Sequence, residues 1–183
     1  MYVRSFTISA AIFAASLALP APSSAWDGPT LFDRPVEREG VHFHFGVGVG
    51  VGTPDIFGIH HTMELGGTFA NGMTLALIHT FIQNKGVGND NGGPDLIGGW
   101  MAELKVPLYF PELVAKIAFG LGGEHDQSDG IRAIAGVGWA YGLDLHFPVG
   151  PRHGPTLGLT IIHTVAESRH SFGVGLGLGW TLF

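Results

Sequence analysis

Residues 41–52 read Val-His-Phe-His-Phe-Gly-Val-Gly-Val-Gly-Val-Gly, an alternation of apolar residues with histidine or glycine. Successive side chains of a β-strand point to opposite faces, so this stretch predicts a strand with one apolar face and one small, polar face. A helix is excluded, because each of the alternating glycines would cost about 1 kcal/mol relative to alanine.

The same period of two recurs in seven further segments, of which the third is less regular because both of its faces carry apolar residues. The segments are 57–69, 73–82, 96–108, 113–122, 131–147, 156–165 and 171–182. Segments of roughly ten residues have the length that a tilted membrane-spanning strand requires. The sequence therefore predicts an all-β fold, a closed antiparallel up-and-down transmembrane barrel of about eight strands.

The connections between these segments are predicted to alternate in length. Short turns are expected at 71–72, 107–112 and 148–155, and polar loops at 53–56, 84–95, 124–130 and 167–170. Outer-membrane barrels have short periplasmic turns and longer outside loops, so we expect the first set to be periplasmic.

The composition points to the same class of protein. Only 13% of the 183 residues are charged, compared with about 25% in an average soluble domain. No segment after residue 25 is a long unbroken apolar run, which excludes helical membrane spans, and only a closed barrel crosses a membrane without such runs. The net charge of -6 and the absence of a basic cluster argue against nucleic acid as a partner.

The N-terminal sequence predicts export. It has the order of a secretory signal peptide, with a basic end at Arg4, an apolar run over 6–19 and small residues over 22–25. We expect cleavage after Ala25, a periplasmic N-terminal segment over 26–40 and an outer-membrane barrel over 41–183. The absence of cysteine leaves no lipid-attachment site and no disulfide framework.

Charged residues on the polar face are expected to fill the barrel. They are Glu64, Glu103, Lys105, Lys116, Arg132 and Asp144. The lumen of an eight-stranded barrel is only just wide enough for side chains, and buried ions need partners. We therefore predict a paired network that plugs the lumen, with the apolar face in lipid and no continuous pore. As an alternative to the network, some of these charges would lie at the rims of the barrel in contact with water. As an alternative to a membrane protein, the chain would be a soluble periplasmic barrel that binds an apolar ligand.

The signal peptide, the eight amphipathic segments and the ending Gly-Leu-Gly-Trp-Thr-Leu-Phe over 177–183 together resemble small outer-membrane barrels, namely the OmpA transmembrane domain and OmpX-like proteins. The resemblance implies a monomer in the bacterial outer membrane, surrounded by its lipid and lipopolysaccharide. It also implies that barrel-assembly machinery reads Phe183. This chain departs from the pattern by one position, because the apolar residues of the last segment are even-numbered whereas Phe183 is odd-numbered.

Three histidines are expected on the outward face near the outer strand ends. They are His61, His79 and His163, each followed by threonine. At this level they would anchor to lipopolysaccharide headgroups. The favoured function is accordingly a non-enzymatic barrel that acts in envelope integrity or surface interaction.

An enzymatic alternative concerns the segment around His163. Ile-Ile-His-Thr-Val-Ala over 161–166 is similar to the His-x-Ser-Asn stretch of the lipid A 3-O-deacylase family, although valine stands in place of the serine. The similarity implies a lipid A acyl-chain hydrolase with His163 as base. Ser168 would replace the missing nucleophile, with Ser171 as a second stand-in, and Glu167 would orient the base. Thr164 points to the opposite face.

His42, His44 and His146 are candidate metal ligands, since two histidines at i and i+2 can chelate a transition metal. A third ligand is missing from the pattern, so the sequence predicts neither a metal nor a cofactor. Hydrogen bonding inside the lumen is the expected role of these histidines.

Overall fold

The computed structural model describes residues 29–32, 39–53, 56–84, 95–126, 132–150, 152–167 and 169–183. The predicted signal peptide, Ser168 and the side chain of Arg132 lie outside this description. Within it, no helix combines the length and the hydropathy needed to cross a membrane.

Eight antiparallel strands form a closed barrel in sequence order. They are β1 (Gly40–Thr53), β2 (Ile56–Thr68), β3 (Thr74–Asn84), β4 (Leu96–Pro107), β5 (Leu113–Asp126), β6 (Arg132–His146), β7 (His153–Ala166) and β8 (Arg169–Leu182). Strands β1 and β8 close the barrel, with a register that runs from Phe43 opposite Leu182 to Thr53 opposite Phe172. The predicted all-β, up-and-down barrel of eight strands is confirmed.

The alternation in the sequence becomes an inner and an outer surface. On β1, Val49 is 58% exposed whereas His42 is fully buried, and Leu121 on β5 is 71% exposed. The apolar stripes to which Val49 and Leu121 belong therefore point outward, and the alternate residues of these strands point into the lumen.

The two ends of the barrel differ in their connections. At the turn end, where β1 begins and β8 ends, the strands are joined by 69–73, 108–112 and 147–152. At the opposite end, the loop end, the connections are 54–55, 85–95, 127–131 and 167–168. Two loop-end connections have two residues each and are shorter than the turns, which have five or six, so the expected alternation of connection lengths is wrong.

The turn between β2 and β3 shows why the chain reverses there. The backbone N of Phe69 donates to Met73 O at 2.8 Å, and the Asn71 side-chain oxygen accepts from Met73 N at 3.0 Å. Gly72 has a φ of 78°, a conformation that glycine adopts without steric cost. The Asn-Gly pair thus forms the tip of a turn that is longer than the two residues expected.

Candidate functional site

Four charged side chains from four strands meet in the lumen near the turn end. Lys105 Nζ donates to Glu64 Oε2 at 2.5 Å and to Asp144 Oδ2 at 2.7 Å. Lys116 Nζ donates to Asp144 Oδ1 at 2.7 Å. All four residues are buried, and we refer to them as the luminal ion network. Such short pairing offsets the large cost of removing charges from water.

Two further residues border the luminal ion network. His42 Nε2 lies 2.9 Å from Glu64 Oε2, and Glu103 Oε2 lies 3.9 Å from Lys105 Nζ. Of the six charged residues singled out in the sequence, the structure therefore brings four into direct contact. Glu103 lies at the edge of this group, and the side chain of Arg132 is outside the described part.

Histidine and threonine side chains form a second, uncharged chain of contacts across the closing strands. His44 Nδ1 and Thr181 Oγ1 are 2.9 Å apart, and Thr181 Oγ1 and Thr156 Oγ1 are 2.7 Å apart. Thr156 Oγ1 lies 3.0 Å from His146 Nδ1. These contacts link β1, β8, β7 and β6, so His44 and His146 take part in hydrogen bonding within the lumen.

Phe183 lies in the mouth of the lumen at the turn end. It is 9% exposed, and its ring centroid is 5.1 Å from that of His146 and 5.7 Å from that of His42. Its backbone N donates to Arg152 O at 2.8 Å. The odd parity of this residue therefore places its ring inside the barrel, whereas the even-numbered side chains of β8 point outward.

An apolar cluster fills the lumen toward the loop end, and the sequence reasoning missed it. It comprises Ile56, Ile78, Ile82, Ile97, Met101, Ala118, Ala140 and Ile162, all buried, and we call it the apolar plug. The signal for it in the sequence is the third segment, 73–82, which carries apolar residues on both faces. Glycine makes the room, because a Cβ at Gly50 would lie 2.7 Å from Ile82 Cγ1 and one at Gly173 2.6 Å from Ile82 Cδ1.

Little empty space remains between the luminal ion network and the apolar plug. A polar cavity of about 10 Å³ lies there, with His44, His60, Lys116 and Asp144 in its wall. This volume is close to the smallest that holds one water molecule. This cavity therefore has no room for a solute.

The loop end carries a separate pair of buried polar side chains. The Ser171 hydroxyl on β8 donates to the Glu124 carboxylate on β5, across the barrel. Thr164, which is opposite Ser171 in the register, is also buried. Both hydroxyls therefore face the lumen.

The outward histidines are packed against aromatic rings. His61 stacks on Phe81 at a centroid distance of 5.0 Å, and His79 stacks on Trp100 at 4.3 Å. His163 is the most covered of the three, at 8% exposure. All three lie on the outer wall. His163 is near the loop end of β7, whereas His61 and His79 lie at or near the middle of β2 and β3 and not near the outer strand ends as expected.

His163 is held by three neighbours. Its ring stacks on Phe172 at 3.8 Å and meets the edge of Trp139 at 4.1 Å, and its Nε2 lies 3.2 Å from Nδ1 of His170. Of the hydroxyls considered as nucleophiles, Thr164 and Ser171 lie on the other side of the wall, and Ser168 is outside the described residues. Glu167 is exposed in the turn that follows β7, with a φ of 47°.

An eight-stranded closed barrel with an apolar outer wall and a lumen filled by side chains is the fold of the small outer-membrane barrels. The solved structure of Neisserial surface protein A has this fold, with a TM-score of 0.51 and 12% identity over 78% of this chain and 94% of that chain. At this identity the likeness concerns the fold alone. It agrees with the family resemblance of the sequence.

Two further solved structures match with lower scores. Ail, the attachment invasion locus protein of Yersinia pestis, has a TM-score of 0.41 and 16% identity over 79% of this chain and 99% of that chain. The outer membrane protein AlkL has a TM-score of 0.36 and 13% identity over 90% of this chain and 97% of that chain. No protein-family model matches the sequence, and a search of the curated proteins finds no match.

Proposed function

We propose that this chain is a non-enzymatic barrel of the bacterial outer membrane that closes its own lumen and contributes to envelope integrity. The observation that carries the proposal is the combination of an apolar outer wall with a lumen filled by the luminal ion network and the apolar plug. A soluble ligand-binding barrel would have the reverse arrangement, with its apolar side chains around an internal cavity.

The outer wall supports a location in lipid. Its most exposed apolar side chains lie on several strands, and they include Phe57, Ile117, Phe119, Leu121 and Leu178. Soluble monomers rarely expose contiguous apolar patches larger than a few hundred Å². The strands have 11 to 15 residues, and about 9–11 suffice for a tilted strand to cross the hydrocarbon core. The predicted signal peptide supplies the export route, and lipopolysaccharide is the expected neighbour at the loop end.

The short loop-end connections favour a structural role over surface interaction. Residues 54–55 and 167–168 alone join two of the four strand pairs at that end. These two connections offer little chain for contact with another molecule, and the one long connection at that end is 85–95. We also favour the structural role over a lipid A hydrolase, because the contact of His163 Nε2 is another imidazole and not a hydroxyl.

Cell fractionation and gel mobility test the location. We expect the mature protein in the outer-membrane fraction, and we expect unboiled samples to migrate differently from boiled ones because the barrel resists detergent. A chain found in the soluble fraction, with the same mobility before and after boiling, would overturn the membrane assignment.

A deletion strain tests the role. Loss of the gene should increase sensitivity to detergents and to large antibiotics, and plasmid copies of wild type and of His163→Ala should both restore resistance. The lipid A mass spectra should be identical in all strains. Unchanged sensitivity of the deletion strain would contradict the envelope role, and lipid A that changes with His163→Ala would support the hydrolase instead.

A further inference from the structure

We propose that His163 and His170 form a two-imidazole site for a divalent transition metal on the outer wall of the barrel, close to the loop end. Imidazole nitrogen is a ligand that suits zinc, copper and nickel. The proposal concerns a different property from the proposed function and does not depend on it, because the site requires only the folded barrel.

The separation of the two ring nitrogens fits a shared metal. Zinc–imidazole bonds are about 2.0–2.1 Å long, so two nitrogens 3.2 Å apart would subtend an angle of about 103° at the metal. This angle lies between the values for square-planar and tetrahedral coordination. The ring centroids are 5.4 Å apart, so the two rings point at each other, and the exposed His170 ring must turn for both lone pairs to meet at the metal. This change is confined to a side chain and moves neither strand.

The register and the packing prepare the site. His163 is opposite Phe172 and His170 is opposite Val165, so the two histidines are diagonal neighbours on β7 and β8. The contacts of His163 with Phe172 and Trp139 hold its ring in place, which reduces the entropy lost on binding. His170 is exposed, so a metal can reach the site and water can occupy its remaining coordination positions.

Besides this ring rotation, binding requires a rearrangement of protons within the pair. Without metal, one ring donates an N–H to the other at the 3.2 Å contact. With metal, both of these nitrogens present lone pairs, and the remaining N–H groups lie on Nδ1 of His163 and Nε2 of His170. Neutral rings lose no proton overall, whereas protonated rings must release one, so binding should weaken in acid.

A second diagonal pair on the outer wall provides the matched control. His61 is opposite Phe81 and His79 is opposite Met63, which is the same diagonal relation on β2 and β3. Each of these rings packs against Phe81, at 5.0 Å in both cases. Because this aromatic ring contacts both imidazoles, we expect the pair to bind no metal tightly.

The site uses two side chains, since the described residues contain no group of three or more His, Cys, Asp or Glu side chains that could hold a metal ion. Trp139 reports on it directly, because its ring lies 4.1 Å from that of His163. Paramagnetic Cu(II) bound by the two histidines should therefore quench the fluorescence of this tryptophan.

The test is a Cu(II) titration of the tag-free, folded barrel in detergent at neutral pH. We expect saturable quenching that is absent in Trp139→Phe, and nitrogen hyperfine structure from two imidazoles in the electron paramagnetic resonance spectrum. His163→Ala and His170→Ala should each weaken binding about tenfold or more, while His79→Ala should bind as wild type does.

His170→Ala is the decisive variant, because His170 is exposed and its loss should leave the barrel folded, as checked by heat-dependent gel mobility. If folded His170→Ala binds Cu(II) with wild-type affinity and quenching, the proposal is wrong. The same conclusion follows if His79→Ala reduces the affinity as much as His170→Ala does.

Discussion

Lys105 on β4 and Asp144 on β6 form an ion pair across the lumen, with Nζ 2.7 Å from Oδ2. The two strands are not neighbours, because β5 lies between them. Lys105 also reaches Glu64 on β2, so a single ammonium group joins two buried carboxylates from different parts of the wall. The luminal ion network therefore ties together strands that backbone hydrogen bonds do not connect.

Replacing this lysine should destabilise the barrel strongly. Lys105→Met leaves Glu64 without its ammonium partner and Asp144 with only Lys116, and breaking a buried pair costs about 3–5 kcal/mol. The measurement is urea unfolding of the purified barrel in detergent, followed by the loss of heat-dependent gel mobility. Glu103→Gln is the control, because the Glu103 carboxylate lies 3.9 Å from the same Nζ, and it should change stability much less. Equal stability of Lys105→Met and wild type would contradict a structural role for the network.

The period-two alternation was sufficient to predict the strands, because in a barrel this size every strand has one face on the outer wall and one in the lumen. The pairing of Lys105 with Asp144 could not be predicted in the same way. It depends on the stagger between strands that are not adjacent in the sheet, which a single sequence does not report. The sequence indicated which charges share a lumen, and the register decides which of them meet.

The apolar plug was missed for a related reason. The alternating segments predict a luminal face that is polar throughout, and Ile78 and Ile82 on β3 depart from that pattern. In the structure both side chains lie inside, and Ile82 packs beside Gly50 of β1 and Gly173 of β8. A strand with apolar residues on both faces, combined with glycine on other strands of the barrel, therefore indicates an apolar layer within the lumen.

Two glycines on β8 should respond differently to the same substitution. A Cβ at Gly175 would lie 2.4 Å from Cγ of His60, whereas the nearest atom to a Cβ at Gly177 is Val47 O, at 3.5 Å. Gly175→Ala should therefore displace His60 and cost about 1–3 kcal/mol. Gly177→Ala should be neutral or slightly stabilising, because alanine reduces the freedom of the unfolded chain. Matching unfolding curves for the two variants would show that His60 does not fill the space beside Gly175.

Removing the ring of Phe183 should also weaken the barrel. This ring fills the turn-end mouth beside His42 and His146, and truncating a buried phenylalanine costs about 3 kcal/mol or more. Leu182→Ala is the control, since Leu182 points outward and is 46% exposed, and it should have a smaller effect. Unfolding is measured on refolded, purified protein. If only the amount inserted in cells falls, and the purified Phe183→Ala barrel unfolds as wild type does, the residue acts in assembly alone.

The lumen should remain closed even when one of its two layers is weakened. Ile82→Ala should cost about 2–5 kcal/mol, because it opens a cavity in the apolar plug. The luminal ion network still blocks the passage in this variant, just as the plug does in Lys105→Met. We therefore expect no stepwise current from wild type, Ile82→Ala or Lys105→Met in planar lipid bilayers, with a large porin as the positive control. Discrete conductance steps from the folded wild-type barrel would contradict a closed lumen. Conductance in Ile82→Ala alone would show that the plug is the only barrier and that the ion network admits hydrated ions.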